Sequence, residues 1–189
     1  MKKIHLLFIP LLALLLVSFA PADWVDFSSK EGRFKIKFPR QPAPSTQNVG
    51  DAKVPIKMHV FLYDASKYKD ENLAYYVMYC DYPKDLVNSD FREEIIDTIF
   101  KSSIEGAAKN MNGTVVSITN NDHYKDFPGR DSKFTFMDGQ GVCYMKIFLV
   151  HNRMYILMSI CDPKNDNNPS MAKFFSSFTL LDSKNQIIH

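Results

Sequence analysis

Hydrophobic and polar residues alternate most clearly near the start of the folded part of the chain. Phe34, Ile36 and Phe38 fall on one side of an extended segment, and three basic residues fall on the other side. A spacing of two is typical of a strand with one solvated face. Residues 53–63 carry apolar residues at the same spacing and predict a second strand, and the prolines between the two segments predict an extended loop.

Three other segments are apolar on both faces. Residues 73–82 form one of them, and 142–150 and 153–161 form a pair joined at His151-Asn152. Strands of this kind are covered on both sides, so these three should lie at the centre of a sheet, the last two as a hairpin. Shorter strands are predicted at 24–27, 114–119 and 133–137.

Two segments instead have the spacing of amphipathic helices. Ser89 or Asp90 can cap the first, in which apolar residues recur every three or four positions up to about Met111. Asn168 can cap the second, which ends near Ser177. Strands joined largely by hairpins, with two helices inserted, predict an α+β fold with a mostly antiparallel β-sheet covered by helices.

Residues 1–22 have the pattern of a cleavable signal peptide. Lys2 and Lys3 precede an apolar run from Ile4 to Phe19, and small residues follow up to Ala22. The uninterrupted apolar core is shorter than the about 20 residues that a membrane-spanning helix needs. We therefore predict export to the periplasm or the medium, with no stable membrane insertion after cleavage.

The remaining residues, 23–189, fit a single domain. The full chain has 23 basic and 21 acidic residues, but two of the lysines lie in the signal segment, so the mature part is balanced. Because nucleic-acid-binding proteins normally show a basic excess or stripe, we predict no nucleic-acid partner.

Three cysteines remain in the mature chain, and none belongs to a zinc-binding or CxxC motif. With a two-residue turn at His151-Asn152, in which Asn152 suits the left-handed conformation, Cys143 faces Ile160 and Cys161 faces the residue before Cys143. The two sulfurs then lie on opposite sides of the sheet and cannot pair. A three-residue turn would instead set the two cysteines directly against each other.

Candidate chemistry is concentrated in one polar stretch, residues 122–131. His123, Asp126, Arg130 and Asp131 could bind a ligand there, and a histidine with carboxylates could also bind a metal or transfer protons. Functional sites usually draw residues from several elements, and a loop leading through a Pro-Gly bend into a strand explains the stretch equally well. No nucleophile, phosphate-binding or metalloprotease motif is present, so we predict no catalytic residue, metal or cofactor.

Four short motifs are shared with a known fold family. They are Gly32 to Pro39, Phe127-Pro128-Gly129-Arg130, the hairpin turn at 151–155, and 173–178. In this order the chain resembles the PsbP-like, Mog-type superfamily, in particular its small exported bacterial members, over residues 24–181. The resemblance implies an α/β/α sandwich around an antiparallel sheet, a role as a binding or assembly module, and no universal catalytic residues.

Two functions follow from these observations. The favoured one is an exported, non-enzymatic binding or assembly module that holds an unidentified protein or small-molecule ligand at a sheet edge or in a groove. The alternative is an exported hydrolase or metal-dependent enzyme with a site around His123, Asp126 and Asp131. It requires those side chains to converge in a pocket with partners from another element.

Overall fold

The structure is a computed structural model that describes residues 24–50, 53–119, 122–182, 184 and 186–188. The predicted signal peptide lies outside the described residues. The strands are β1 (Val25–Ser29), β2 (Phe34–Phe38), β3 (Ala43–Asn48), β4 (Lys57–Asp64), β5 (Asn72–Asp81), β6 (Thr114–Ile118), β7 (Asp122–Tyr124), β8 (Phe127–Phe136), β9 (Gly141–Val150), β10 (Arg153–Cys161) and β11 (Thr179–Leu180). The α-helices are α1 (Glu93–Asn110) and α2 (Pro169–Ser176).

A large antiparallel sheet is the centre of the molecule. Its strands follow the order β3-β4-β5-β10-β9-β8-β6, and β7 pairs with the beginning of β8. The central strand β10 is buried along its whole length, as expected for a strand covered on both faces. The predicted α+β class and the antiparallel sheet are confirmed.

Different elements cover the two faces of this sheet. Helix α1 covers one face and inserts the fully buried Phe100 and Ile104. A small antiparallel sheet, β1-β2-β11, covers the other face together with α2. The alternating residues of β2 behave as predicted, because Phe34 and Phe38 are fully buried in this second core. None of the described helices is both long and apolar enough to cross a membrane.

The proline-rich segment after β2 is a strand, which contradicts the predicted loop. Ala43–Asn48 forms the outermost strand, β3, and pairs with β4. The amide of Val49 donates to the carbonyl of Ile56 at 2.9 Å. Residues 47, 45 and 43, which alternate with it, therefore also direct their backbone N–H and C=O groups towards β4. Pro44 lies between residues 43 and 45, so its backbone nitrogen faces the free edge of the sheet. A proline is tolerated there because no N–H is needed for strand pairing.

The start of α1 also differs from the prediction. The helix begins at Glu93, and the preceding Arg92 makes no side-chain capping bond. Ser89 instead binds the hairpin turn: its amide donates to the carbonyl of His151 at 2.7 Å, and its hydroxyl accepts from the amide of His151 at 3.1 Å. A tertiary contact has thus replaced the local cap.

The helix α2 begins as predicted. The side chain of Asn168 accepts a hydrogen bond from the amide of Met171 at 2.8 Å, and proline occupies the first turn. Asn168 also belongs to a buried polar network, because its amide group donates to Asn72 at 2.9 Å. The hydroxyl of the buried Ser159 donates to Asn72 at 3.0 Å.

The register of the β9–β10 hairpin is the predicted one. Cys143 pairs with Ile160, and Cys161 pairs with Val142. All three cysteines are buried free thiols. Burial raises the pKa of Cys80 and of Cys161 to about 11, so both thiols are protonated at neutral pH.

The turn of this hairpin differs in one detail. His151, with φ of 53°, takes the left-handed conformation that was predicted for Asn152. Asn152 is engaged elsewhere, because its side-chain amide donates to the carbonyl of Tyr82 at 2.5 Å. The backbone amide of Tyr82 donates in return to the carbonyl of Asn152 at 2.9 Å.

Candidate functional site

The polar stretch 122–131 is a β-hairpin, whereas one of the two explanations of its sequence was a loop that leads into a strand. Strands β7 and β8 pair across a two-residue turn, in which Lys125 has φ of 56°. Asp126 is exposed in this turn. Of His123 the structure describes only the backbone, which pairs with Pro128.

Arg130 and Asp131 follow each other on β8 and point to opposite faces of the sheet. Arg130 is 5% exposed, forms an ion pair with Asp97 of α1 and lies 5.7 Å from the ring centre of Phe100. Asp131 faces the other way and forms an ion pair with Lys146 of β9. The three candidates whose side chains are described are therefore distributed over a turn and both faces of the sheet.

A cavity lies on the face that Asp131 shares with α2. One side of α2 packs on the small sheet, where the ring of Phe174 lies 5.3 Å from that of Phe38. Its other side borders β8 and β9, and a groove of about 490 Å³ lies there. We call this the α2 groove; its walls include Tyr124, Asp131, Tyr144, Lys146, Met171 and Phe175.

The charges along the α2 groove are paired. Asp131 and Lys146 are opposed residues of β8 and β9 and form an ion pair, each about two-fifths exposed (37% and 39%). Next to them, Lys133 contacts Asp166 at 2.5 Å, and the hydroxyl of Tyr144 donates to the same carboxylate at 2.6 Å. The groove walls therefore contain one cation and one anion, which cancel, and a second balanced pair, Lys133 and Asp166, lies beside the groove.

These contacts also fix the ionisation of Asp166. Burial alone would raise the pKa of its carboxyl group, but the hydrogen bonds from Lys133 and Tyr144 outweigh that effect and lower the pKa below its usual value. The hydrogen bond to Asp166 in turn raises the pKa of Lys133. Both groups are charged at neutral pH.

A smaller recess continues from the groove towards the second core. It has a volume of about 60 Å³, and its walls include the apolar side chains of Phe148, Leu157 and Phe178. Asp131 and Lys146 line both the recess and the groove, so the ion pair lies where the two meet. We call this space the apolar recess.

Tyr124 forms a rigid wall of the recess. Its ring stacks on Phe148 with centroids 4.7 Å apart, and its hydroxyl donates to the carbonyl of Phe178 at 3.1 Å. Burial raises the pKa of this hydroxyl, which keeps it protonated and able to donate.

Sequence reasoning found Asp131 but missed the other groove residues. Lys146 gave a usable signal, because it is the single charged residue in the ten-residue strand Gly141–Val150. Phe175 gave none, since an aromatic residue on a short amphipathic helix is expected to pack in the core. Among the described residues, no group of three or more His, Cys, Asp or Glu side chains is arranged to hold a metal ion.

Comparison with known proteins identifies the fold. No protein-family model matches the chain, and no curated protein matches it. Among solved structures, the solution structure of cyanobacterial PsbP (CyanoP) from Synechocystis sp. PCC 6803 aligns with a TM-score of 0.56 and 13% sequence identity. The alignment covers 88% of this chain and 99% of that chain. At this identity the similarity shows the fold alone: the chain has a PsbP-like fold, as the sequence motifs predicted.

Proposed function

We propose that this chain is an exported, non-enzymatic binding or assembly module whose ligand occupies the α2 groove. The observation that carries the proposal is the composition of the groove. It is concave, largely apolar and aromatic, and it contains a small number of polar side chains in fixed positions. This is the usual composition of a ligand site in a protein.

The polar groups of the groove suit binding better than catalysis. A general base needs an acceptor aimed at a substrate proton, and a nucleophile needs an activating neighbour. Asp131 and Lys146 instead contact each other, and Asp166 accepts hydrogen bonds from Lys133 and Tyr144. Pairs of this kind orient a ligand and select its charge.

The alternative, a hydrolase or metal enzyme, has less support. Asp126 lies in the hairpin turn and Asp131 lies five residues further along β8, roughly 15 Å away at the rise of a strand. Two carboxylates at that distance do not share a metal ion, whose ligands lie about 2.0–2.6 Å from it. Export is supported by the charged, apolar and small-residue order of residues 1–22.

A fragment screen by NMR tests the binding function. We expect small amphipathic fragments to perturb the amide resonances of β8, β9 and α2. We expect Phe175→Ala to weaken their binding by about fivefold or more, as for the loss of carbon atoms from an apolar pocket. Tyr68→Ala is the matched control, because Tyr68 is an aromatic residue that is 51% exposed in the β4–β5 loop, away from the groove. Fragments that bind elsewhere, or that are insensitive to Phe175→Ala, would contradict the proposal.

A further inference from the structure

We infer that the α2 groove binds an extended polypeptide segment of a partner protein, and that one compact aliphatic side chain of that segment fills the apolar recess. The inference rests on the proposed function, since it names the ligand class of the same groove. The volumes of the recess and of the groove, and the charges at the mouth of the recess, carry it.

The size of the recess selects the side chain. A buried apolar cavity that accepts benzene has a volume of about 150 Å³. The apolar recess has a volume of about 60 Å³, which is too small for a phenyl ring without rearrangement of its walls. Its walls are also rigid, because Phe148 stacks on Tyr155 with centroids 5.1 Å apart and on Tyr124 at 4.7 Å. A branched aliphatic group the size of a valine or leucine side chain fits this space best.

The charges of the groove favour a neutral, polar peptide backbone next to that side chain. Asp131 offers acceptors and Lys146 offers donors at the mouth of the recess, and their charges cancel. A peptide group presents one donor and one acceptor side by side with no net charge, so it complements such a pair. A fatty acid or an anionic lipid presents acceptors only and would have to compete with Asp131 for Lys146.

The volume of the groove agrees with a ligand that extends beyond one side chain. The groove is several times larger than the recess, at about 490 Å³ against about 60 Å³. Tyr144 and Met171 lie in its walls beyond the ion pair, so flanking residues of an extended segment find an aromatic and an apolar surface. A compact small molecule that filled the recess would leave most of the groove empty.

The test uses capped pentapeptides Ac-Thr-Ser-X-Ser-Thr-amide with alanine, leucine or phenylalanine at X, titrated into the mature protein and followed by NMR. We expect the leucine peptide to bind at least tenfold more tightly than the alanine peptide, as for a few methylene groups placed in an apolar pocket. We expect the phenylalanine peptide to bind more weakly than the leucine peptide. Octanoate, titrated in parallel, represents a fatty acyl ligand.

Two variants place the binding in the recess. Leu157→Phe fills the recess and should remove the advantage of the leucine peptide over the alanine peptide. Because Leu157 is fully buried and the larger side chain could prevent folding, Phe175→Leu is the second variant. It widens the entrance at a partly exposed position and should shift the preference towards the phenylalanine peptide. Tyr68→Leu, the same type of change outside the groove, should shift neither preference.

The outcomes separate this inference from the proposed function. Tighter binding of the leucine peptide, lost or shifted in the variants, supports the inference. Perturbation of groove resonances by octanoate, with none by the peptides, overturns the peptide inference but leaves the groove as a binding site. Equal binding of the leucine and phenylalanine peptides overturns the size argument. If no probe perturbs the groove resonances, the inference and the proposed function both fail.

Discussion

The side chain of Arg153 is buried, and the carboxylate of Asp81 compensates its charge. Its guanidinium group donates to both oxygens of Asp81 at 2.6 Å and to the backbone carbonyl of Glu31 at 2.6 Å. The arginine side chain is 9% exposed, whereas that of Asp81 is 52% exposed. The contact with Glu31 also ties the β1–β2 turn, and with it the small sheet, to the large sheet.

We expect Asp81→Asn to destabilise the protein by about 2 kcal/mol. Removing one partner of a fully buried ion pair costs about 3–5 kcal/mol, because the other charge is left without compensation. Water reaches the exposed half of the carboxylate, so we discount that range by roughly half. Asparagine still offers one acceptor, which keeps the expected loss at the lower end.

A double-mutant cycle measures the pair directly. Asp81→Asn, Arg153→Met and the double variant are unfolded with urea at pH 7, and the free energies of unfolding are compared. We expect a coupling energy of about 1.5 kcal/mol between the two positions. Asp26→Asn is the control. Asp26 forms an ion pair with Lys37, the two side chains are 83% and 43% exposed, and the pair should contribute less than about 1 kcal/mol. A loss below about 0.5 kcal/mol for Asp81→Asn would refute the reasoning.

The same pair gives an acid-dependent signature. Hydrogen bonds from Arg153 hold the pKa of the Asp81 carboxyl group below its ordinary value of 3.8. A lowered pKa in the folded state contributes stability that is complete above 3.8 and is lost as the pH falls through the folded-state value. The difference between the wild type and Asp81→Asn should therefore be constant from pH 7 to about pH 5 and shrink below about pH 4.

Four further predictions concern other parts of the chain. The denatured, unreduced protein should contain three free thiols, since the β9–β10 register holds Cys143 and Cys161 on opposite faces; a mapped bridge between them would contradict it. His123→Ala should change the free energy of unfolding by less than about 1 kcal/mol, and elemental analysis of the wild type should find no tightly bound transition metal that this variant loses. N-terminal sequencing of the exported protein should begin at or near Asp23, and an uncut chain in the membrane fraction would refute export. Asn168→Ala should cost about 2–4 kcal/mol in urea unfolding, from the lost helix cap and the unpaired Asn72, and a loss below about 1 kcal/mol would mean that water replaces it.

The sequence predicted the elements whose own pattern decides their structure. Strand β2 alternates because one of its faces is buried, and the β9–β10 register follows from the length of a two-residue turn. Asn168 caps α2 with a bond that spans three residues. In each case the contacts that matter lie within the segment or in its immediate neighbour.

The elements that sequence reasoning missed depend on distant partners. Strand β3 has no buried residue and an internal proline, so its extended structure comes from pairing with β4. Ser89 lies at a good capping position, but the turn at His151, 62 residues away, binds it instead. Local propensity is a weak guide where a tertiary hydrogen bond competes with it.

The candidate site was hardest to predict because three separate parts of the chain build it. Asp131 was identified, but as a member of a contiguous polar stretch and not as the partner of Lys146. The register that opposes these two residues requires the β8–β9 pairing, and Phe175 reaches them only through the packing of α2. Neither the register nor the packing can be deduced from the residue spacing within one segment.

The ion pair between Asp131 and Lys146 is better explained by recognition than by stability. Partly exposed ion pairs typically contribute only about 0–1 kcal/mol. Apolar residues of similar size at two opposed strand positions would stabilise a sheet at least as well, since they avoid the desolvation of two charges. The pair nevertheless lies where the groove and the recess meet, beside Tyr124 and Phe175, which also line both. A feature that adds little to folding but places a donor and an acceptor beside an apolar recess has the arrangement that a binding site for a neutral, polar backbone requires.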